Sequence, residues 1–371
     1  MIKKIPYINI IKQTKKEKKE IFTTFNKLFL KGDFILGSEV DIFEKQIENF
    51  LRVKNCVALN SGTDALTLGL HLLGIKKGDE VITPPNSFVA STAAIVHLGA
   101  IPIFADVKED QNIDPIEIEK KITKNTKAIM PVHLSGAACE MDKIMKISKK
   151  YKIPIIEDGA QAIGTKYNNK FVGTFGKVGC FSAHPLKNLN AIGDAGYLVT
   201  NSSTLARKAR LLRNHGIEKR NEILSFGYVS RMDTLQAAVL NLRFKKLQNT
   251  INKRRLNAKI YNKNLKNLKN ISLPNEKKLE FNTFHTFVIQ AEKRDELKDY
   301  LEKKKIFTAI HYPYLIFDQK AYKNKFKPIH KNKFPVSRML SKKILTLPIN
   351  QFMNNKDVEK VCREIIKFYK S

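Results

Sequence analysis

The sequence predicts an α/β fold in which helices cover a mostly parallel sheet. Apolar runs at residues 80–83, 101–107, 128–132 and 154–158 are typical of strands. Apolar residues recur at helical spacing between such runs, as at residues 142–151. This alternation of strands and helices is the pattern of a sheet whose parallel strands are joined by helical crossovers. Because ligands of such sheets bind beyond the carboxyl ends of the strands, polar residues that follow a strand are candidate site residues.

The region before these strands is predicted to be scaffold. Residues 6–9 are expected to be extended, and a charged helix is predicted over residues 15–30, ended by Gly32. A second helix is predicted over residues 39–51, because its apolar residues recur at helical spacing. Those residues are Val40, Phe43, Ile47 and Phe50.

The composition indicates a globular protein with room for two domains. The chain has 371 residues, of which 43% are hydrophobic and 27% charged. It has no apolar run of the roughly 18 to 20 residues that a membrane span needs, and the opening segment MIKKIPYINI lacks a signal-peptide core. We therefore predict a cytoplasmic protein with no membrane partner. The cysteines form no CxxC pair, so we predict reduced packing residues and no metal site. They are Cys56, Cys139, Cys180 and Cys362.

The formal net charge of +32 raises the question of nucleic-acid binding. The lysines are spread from Lys3 to Lys370, and no helix-turn-helix, zinc finger or arginine-rich stripe with interleaved aromatic residues is present. We therefore predict no nucleic-acid partner. A biased amino-acid usage, together with long-range attraction for an anionic small substrate, explains the charge.

Three features at predicted strand ends could bind one ligand. In NSGTDAL (residues 60–66) a strand ends at Asn60 and a helix follows, so the backbone N–H groups and hydroxyls suit a phosphate. An ordinary capped helix is the alternative interpretation. Phe88, at the next turn into a helix, is either a core residue or presents its face to a planar ring. Asp158 ends the strand of residues 154–158 and is followed by Gly159.

A lysine in a polar loop completes this set. Lys187 lies between apolar runs at residues 178–181 and 197–200, where its amine is placed to form an imine with an aldehyde cofactor. By itself it could be one lysine among many. A strand-end acid such as Asp158 would keep the pyridine nitrogen of pyridoxal phosphate protonated. We call the turn into a helix at residues 60–66 the phosphate cup. Together with the aromatic ring of Phe88, the aspartate and the lysine, it predicts a pyridoxal-phosphate site.

The chain resembles the sugar aminotransferases of the DegT/DnrJ/EryC1/StrS group. The resemblance extends over nearly the whole chain, from Pro6-Tyr7 to residues 345–349. The motifs that carry it are NSGTDAL (60–66), EDGAQA (157–162), FSAHPLKNL (181–189) with GD (193–194), and SRMD (230–233).

The resemblance implies a pyridoxal-phosphate-dependent transferase of fold type I. Its large domain would contain a mostly parallel seven-stranded sheet flanked by helices, followed by a smaller C-terminal α+β domain. We assign the N-terminal arm and large domain to residues 1–245 and the small domain to residues 246–371. A helical stretch at residues 233–264 would connect them. Residues 320–333 are interpreted as a solvated loop with aromatic anchors.

The resemblance also implies the catalytic residues. Lys187 would bind the cofactor covalently and, once released by the amino donor, carry a proton between the two reacting carbons. Asp158 would pair with the pyridine nitrogen. Family members that dehydrate sugars carry histidine at the lysine position, so Lys187 argues for transamination.

Five further residues are implied to contact the cofactor. Gly62, Thr63 and Ser182 would bind the phosphate. Phe88 would stack on the ring, and Gln161 would lie near the ring hydroxyl.

Substrate and partners follow from the same resemblance. His184, Arg231, His311 and Tyr312 are placed near the substrate, although a buried core histidine and a packing tyrosine are equally compatible with the sequence. The implied reaction moves an amino group, with glutamate as donor, onto a nucleotide-linked keto-deoxysugar for surface glycan synthesis. The implied assembly is a homodimer with its active sites at the interface, in which residues 228–231 reach the other subunit.

Three departures from the family pattern keep an alternative substrate open. Val229 stands where the family usually has asparagine, His184 where many members have tyrosine, and Ala183 where many have phenylalanine. Since pocket residues set substrate choice, a smaller phosphorylated or cyclic ketone is the alternative. A non-catalytic relative that binds a ligand or nucleic acid is a third possibility, against which the presence of both Lys187 and Asp158 argues.

Overall fold

The computed structural model describes residues 3–370. The strands are β1 (Asn55–Leu59), β2 (Glu80–Thr83), β3 (Ile101–Phe104), β4 (Thr126–Ile129), β5 (Ile156–Asp158), β6 (Lys166–Tyr167), β7 (Lys170–Phe171), β8 (Val178–Ser182), β9 (Gly196–Thr200), β10 (Ile217–Lys219), β11 (Glu222–Ile223), β12 (Ile271–Ser272), β13 (Glu280–Phe281), β14 (Phe287–Ala291) and β15 (Ile344–Leu347). The helices are α1 (Ile10–Lys31), α2 (Ser38–Leu51), α3 (Gly62–Leu72), α4 (Val89–His97), α5 (Pro115–Lys120), α6 (Met141–Tyr151), α7 (Ser203–Leu212), α8 (Thr234–Phe244), α9 (Leu247–Leu265), α10 (Arg294–Lys303), α11 (Lys320–Lys323), α12 (Pro335–Lys343) and α13 (Asn355–Lys370).

Seven strands form the central sheet, in the order β3-β2-β4-β5-β8-β9-β1. Bridges from Ile129 to Ile155 and from Val132 to Asp158 join β4 to β5. Strand β9 runs antiparallel to its neighbours β8 and β1, and the other pairings are parallel. The prediction of a mostly parallel seven-stranded sheet is confirmed.

Helices bury both faces of this sheet. In β1, Cys56 and Ala58 face a core that contains α2 and α8, whereas Val57 and Leu59 face a core that contains α3 and α7. Alternate residues of a strand point to opposite faces. A strand covered on both faces is therefore apolar along its length, which explains the continuous apolar run of residues 56–59.

A second core lies in the C-terminal part of the chain. Strand β14 pairs antiparallel with β12 and β15, and residues of this sheet pack with α9, α10 and α13. Ile5 is buried in the same core and pairs with Ile306, so the N-terminal arm reaches back to this region. The division into domains between residues 245 and 246 stays a prediction.

The helical stretch predicted over residues 233–264 is two helices. They are α8 and α9, separated by Lys245 and Lys246. Leu240 of α8 is buried in a core of the central sheet, whereas Tyr261 of α9 is buried in the C-terminal core. The start of α9 still packs in the core of the central sheet, through Leu247 and Ile251, so this helix runs from that core to the C-terminal core.

Other predicted segments differ from the structure as well. Helix α1 begins at Ile10 rather than at residue 15, and the strand predicted over residues 128–132 ends at Ile129. The strand predicted over residues 101–107 ends at Phe104, since Asp106 turns away to accept hydrogen bonds from the N–H groups of Val336 and Ser337 at the start of α12. Residues 320–333 include the short helix α11. The segment is anchored where Phe317 and Phe334 pack near Phe104. Among the helices of residues 3–370, none combines the length and the apolar character needed to cross a membrane.

Candidate active site

A cavity of about 400 Å³ lies beyond the carboxyl ends of β5 and β8. Its lining comes from loops and helix starts that are far apart in the sequence. All predicted site residues except Arg231 line it: Gly62, Thr63, Phe88, Asp158, Gln161, Ser182, His184, Lys187, His311 and Tyr312. Arg231 instead donates a hydrogen bond to Asn214 Oδ1 at 3.0 Å.

The start of α3 forms one end of the cavity. Ser61 caps this helix, and its Oγ accepts a hydrogen bond from the N–H of Asp64 at 3.0 Å. Because the first N–H groups of a helix have no acceptor within the helix, those of Gly62 and Thr63 are left to bind a ligand. With the positive end of the helix dipole, they suit a phosphate. Ser182, at the end of β8, closes this part of the cavity.

Two glycines allow α3 to approach the sheet this closely. A Cβ atom at Gly62 would lie 2.6 Å from Cβ of Ser182, and one at Gly196 would lie 2.2 Å from the carbonyl carbon of Ser61. Both distances are far inside van der Waals contact. A side chain at either position would therefore displace α3 from β8 and β9 and deform the proposed phosphate cup.

Asp158 ends β5 and is 4% exposed. Its Oδ2 accepts a hydrogen bond from Ser91 Oγ at 2.7 Å, and its Oδ1 accepts one from the N–H of Ala160 at 3.0 Å. Burial raises the pKa of Asp158, and the two hydrogen bonds and the charge of Lys187 oppose that rise. Neither hydrogen-bond donor is a cation, so the carboxylate can still pair with a cationic group of a ligand.

Lys187 lies in the loop between β8 and β9, which hydrogen bonds hold in place. Its backbone N–H donates to the carbonyl of His184 at 2.9 Å. Further along the loop, Asn190 donates to the carbonyl of Pro185 at 2.6 Å and exchanges two side-chain hydrogen bonds with Gln13 of α1, at 3.0 and 3.2 Å. Burial lowers the pKa of Lys187 to about 8, against the opposing charge of Asp158. A free, nucleophilic amine is therefore accessible near neutral pH.

Gln161 and Tyr312 form one wall. Gln161 Oε1 accepts a hydrogen bond from the N–H of Ser135 at 2.7 Å, and its Nε2 donates to the Tyr312 hydroxyl at 3.2 Å. Burial and the Asp158 charge raise the pKa of Tyr312 to about 12, so this phenol stays protonated. The ring of Phe88, which is 56% exposed, lies 6.0 Å from that of Tyr312. An exposed aromatic ring in a cavity wall can cover a planar ligand.

Two of the cavity histidines, His184 and His311, are neutral at physiological pH. Burial and the charge of Lys187 lower the pKa of His311 to about 4, and its Nδ1 lies 2.9 Å from Thr346 Oγ1. Partial burial and Lys187 also lower the pKa of His184, with Asp194 opposing them. Both rings can therefore donate or accept hydrogen bonds without carrying charge.

Sequence reasoning missed several lining residues. Ser91 donates a hydrogen bond to Asp158, and Tyr7 and His285 also line the cavity. The Tyr7 ring lies 5.6 Å from that of His311. Tyr7 belongs to the segment of residues 6–9, which was predicted to be extended but bends at Tyr7 and Ile8, and His285 lies two residues before β14. Their isolation in the sequence offered no pattern that could assign them to a site.

The donor set fits pyridoxal phosphate. The helix start and Ser182 suit the phosphate, the buried carboxylate of Asp158 suits a protonated ring nitrogen, and the lowered pKa of Lys187 suits bonding to an aldehyde. Within residues 3–370, no three or more His, Cys, Asp and Glu side chains are grouped so as to bind a metal ion.

Two relatives match over almost their full length. The dTDP-3-amino-3,6-dideoxy-alpha-D-galactopyranose transaminase of Aneurinibacillus thermoaerophilus is 39% identical, over 98% of this chain and 99% of its own. The UDP-N-acetyl-3-dehydro-alpha-D-glucosamine 3-aminotransferase of Acidithiobacillus ferrooxidans is 37% identical, over 97% of each chain.

A solved structure agrees with this relationship. NtdA from Bacillus subtilis, with bound cofactor PMP, has a TM-score of 0.93 and 31% identity, covering 100% of this chain and 86% of its own. Residues 15–366 match the model of the DegT/DnrJ/EryC1/StrS aminotransferase family. The chain therefore belongs to this family of pyridoxal-phosphate-dependent aminotransferases.

Proposed function

We propose that the protein moves the amino group of glutamate onto carbon 3 of a nucleotide-linked keto-deoxysugar, for the synthesis of a surface glycan. The names of the two relatives support this substrate class, since both describe an amino group at carbon 3 of a nucleotide-linked sugar. The net charge of +32 supports an anionic substrate, which it would attract over long range. Location in the cytoplasm stays a prediction.

The observation that carries this proposal is the shared cavity of Lys187 and Asp158. Asp158 would bind the protonated ring nitrogen of the cofactor, because it is a buried carboxylate whose two hydrogen-bond donors are neutral. When bound, pyridoxal phosphate supplies a ring that accepts the electron pair left on the substrate carbon as its proton departs.

Lys187 is the residue proposed to move that proton. With a pKa of about 8, its amine is close to the value at which one group both accepts and returns a proton near neutral pH. His311 is a poorer base because its pKa is about 4. Lys187 would thus bind the cofactor first and carry the proton afterwards.

The remaining cavity residues would orient the two ligands. Gly62, Thr63 and Ser182 would bind the phosphate, Phe88 would cover the ring, and Gln161 would lie at the ring hydroxyl. The substrate would then contact His184, His311 and Tyr312, which line the same cavity.

We also propose a homodimer. The hairpin of β10 and β11 and the residues after it expose Ile223, Phe226 and Val229, and Phe226 is 99% exposed. Helix α1 exposes Phe29 and Leu30. Apolar residues exposed to this extent mark a protein interface, and a second copy of the chain would bring Arg231 of one subunit towards the cavity of the other.

The first prediction concerns the pKa of Lys187. We expect the rate at which the apoprotein binds pyridoxal phosphate covalently to rise with pH, with a midpoint near 8, because only the free amine reacts. The measurement is the rate of the cofactor absorbance change over pH 6 to 11. Lys187→Ala is the control and should show no such change. A rate still rising above about pH 10, the region of an ordinary lysine, would contradict the prediction.

The second prediction concerns the stability cost of Asp158. Because burial raises its folded-state pKa above the unfolded value, the stability it contributes at low pH is lost as pH rises through the folded-state pKa. We expect the Asp158→Asn apoprotein to melt at or above the wild-type temperature at pH 7, and this advantage to disappear near pH 3. Cofactor affinity should fall at least about tenfold, about 1.4 kcal/mol.

Thermal melts with and without pyridoxal phosphate measure both effects of Asp158→Asn. An apoprotein that is clearly less stable at pH 7, together with unchanged cofactor affinity, would show that Asp158 has a structural role only.

The third prediction concerns the substrate. Holoprotein given ¹⁵N-glutamate should label dTDP- or UDP-linked 3-keto sugars, and kcat/KM should fall at least about 100-fold for the same sugars without the nucleotide. Lys187→Ala should lower turnover at least about 10²-fold. Mass spectrometry of the products measures the transfer. Amination of a small cyclic or phosphorylated ketone, with no nucleotide sugar accepted, would establish the alternative substrate instead.

The fourth prediction concerns the dimer. Sedimentation at micromolar concentration should give twice the chain mass, and Phe226→Asp should weaken association by about 2 kcal/mol or more, as expected for a buried aromatic anchor. Leu279→Asp, which changes an exposed apolar residue outside the hairpin and α1, is the matched control and should leave the dimer intact. A monomeric wild-type protein would exclude the proposed assembly.

A further inference from the structure

A second buried carboxylate lies directly beside Asp158. Glu157 belongs to the EDGAQA motif and to β5, and it is 0% exposed. Neighbouring residues of a strand point to opposite faces, so Glu157 points away from the cavity. None of the roles assigned above uses it.

The Glu157 carboxylate accepts four hydrogen bonds. The N–H of Gly173 donates to Oε2 at 2.7 Å, and the N–H groups of Phe175 and Gly176 each donate to Oε1 at 2.7 Å. His133 Nε2 lies 3.1 Å from Oε2. Since a carboxylate offers about four acceptor positions, these donors saturate it.

Three of the donors belong to one tight turn that is pressed against the sheet. Gly173 has a φ of +83°, and a Cβ atom there would lie 2.4 Å from the ring of Phe181. A Cβ atom at Gly176 would lie 2.5 Å from the carbonyl oxygen of Ile155. The turn therefore has little room to move, and its N–H groups hold the Glu157 carboxylate in one position.

The fourth donor connects Glu157 to the strand on the other side. His133 is 0% exposed, and its Nδ1 accepts a hydrogen bond from the N–H of Cys139 at 3.1 Å. A ring nitrogen that accepts in this way is unprotonated, so Nε2 carries the hydrogen and donates to Glu157. The backbone N–H of His133 donates to the carbonyl of Asp158 at 3.0 Å. The pair thus fastens the extension of β4 to the end of β5.

We propose that Glu157 is a positioning residue that sets the orientation of Asp158 towards the cofactor ring. It ties the turn of residues 173–176 and His133 to the strand end that carries Asp158, and only an ionised carboxylate can accept all four hydrogen bonds. An amide at this position would accept at one oxygen and turn its NH₂ group towards further donors. This inference rests on the role proposed above for Asp158.

The test compares Glu157→Gln with Asp106→Asn. Asp106 is a matched control because it is also a buried carboxylate, outside the cavity lining, that accepts hydrogen bonds from three backbone N–H groups and one side chain. Those donors are Val107, Val336 and Ser337, the last through both its N–H and its hydroxyl. Both substitutions should lower the melting temperature of the apoprotein.

The readout is the dissociation constant of pyridoxal phosphate, measured by equilibrium titration. Glu157→Gln should raise it about 10- to 100-fold, the range known for residues that orient metal-ligating side chains. Asp106→Asn should leave it within about twofold. In the Asp158→Asn background, Glu157→Gln should change the constant no further, because the residue it positions is already lost.

Two results would overturn the inference. One is an unchanged dissociation constant in Glu157→Gln despite a lowered melting temperature. The other is an equal effect of Glu157→Gln with and without Asp158→Asn, which would show that Glu157 does not act through Asp158. If Asp158→Asn alone leaves cofactor affinity unchanged, the proposed role of Asp158 is wrong. This result distinguishes a failure of that role from a failure of the positioning role of Glu157.

If Glu157→Gln does not fold, His133→Leu provides the second variant. It removes one donor and keeps the carboxylate. We expect the dissociation constant to rise about tenfold, and His133→Gln, whose amide can again donate, to restore part of the affinity. No difference between the leucine and glutamine variants would also contradict the inference.

Discussion

The parallel pairing of β5 with β8 is the constraint on which the site depends. In this register Asp158 lies opposite Cys180, so β5 ends beside the segment that continues through Ser182 to Lys187. The two charged groups oppose burial in different ways. Burial raises the pKa of Asp158 and lowers that of Lys187. The charge of each residue partly returns the pKa of the other towards its ordinary value. Burial is the larger effect at both residues, which leaves an amine with a pKa of about 8 in the same cavity as a carboxylate whose pKa is raised.

Close packing keeps these groups in register. The start of α3 touches β8 and β9 at glycines, and the turn of residues 173–176 touches β5 and β8 at glycines. In both places a single methyl group would collide with neighbouring atoms. The sheet is buried on both faces, so a shift at one of these contacts must also move close-packed core residues. The start of α3 and the strand end that carries Asp158 therefore share one rigid support.

The sequence predicted the fold well because its strands are buried on both faces and read as apolar runs. It also predicted that Gly62, Asp158 and Lys187 lie near one another, and all three line the cavity, because Gly62 begins α3, Asp158 ends β5 and Lys187 lies in the loop after β8. Ser91, Tyr7 and His285 were missed because only tertiary contacts bring them to the cavity. Arg231 lies outside the cavity of its own chain, which local pattern cannot reveal. The break between α8 and α9 was missed because both helices have helical periodicity and Leu247, directly after the break, returns to the same core as Leu240.

The adjacent acids of β5 show how one strand end serves two purposes. Glu157 accepts four hydrogen bonds and has no acceptor capacity left for a ligand. Asp158 lines the cavity and accepts two, from Ser91 and Ala160, so it keeps acceptor capacity for a ligand. A carboxylate whose acceptor positions are all occupied is fixed in place and cannot bind a ligand. A carboxylate with free acceptor positions can still bind a cation. The two side chains leave opposite faces of one strand. The hydrogen bonds that fix Glu157 therefore also fix the backbone from which Asp158 projects.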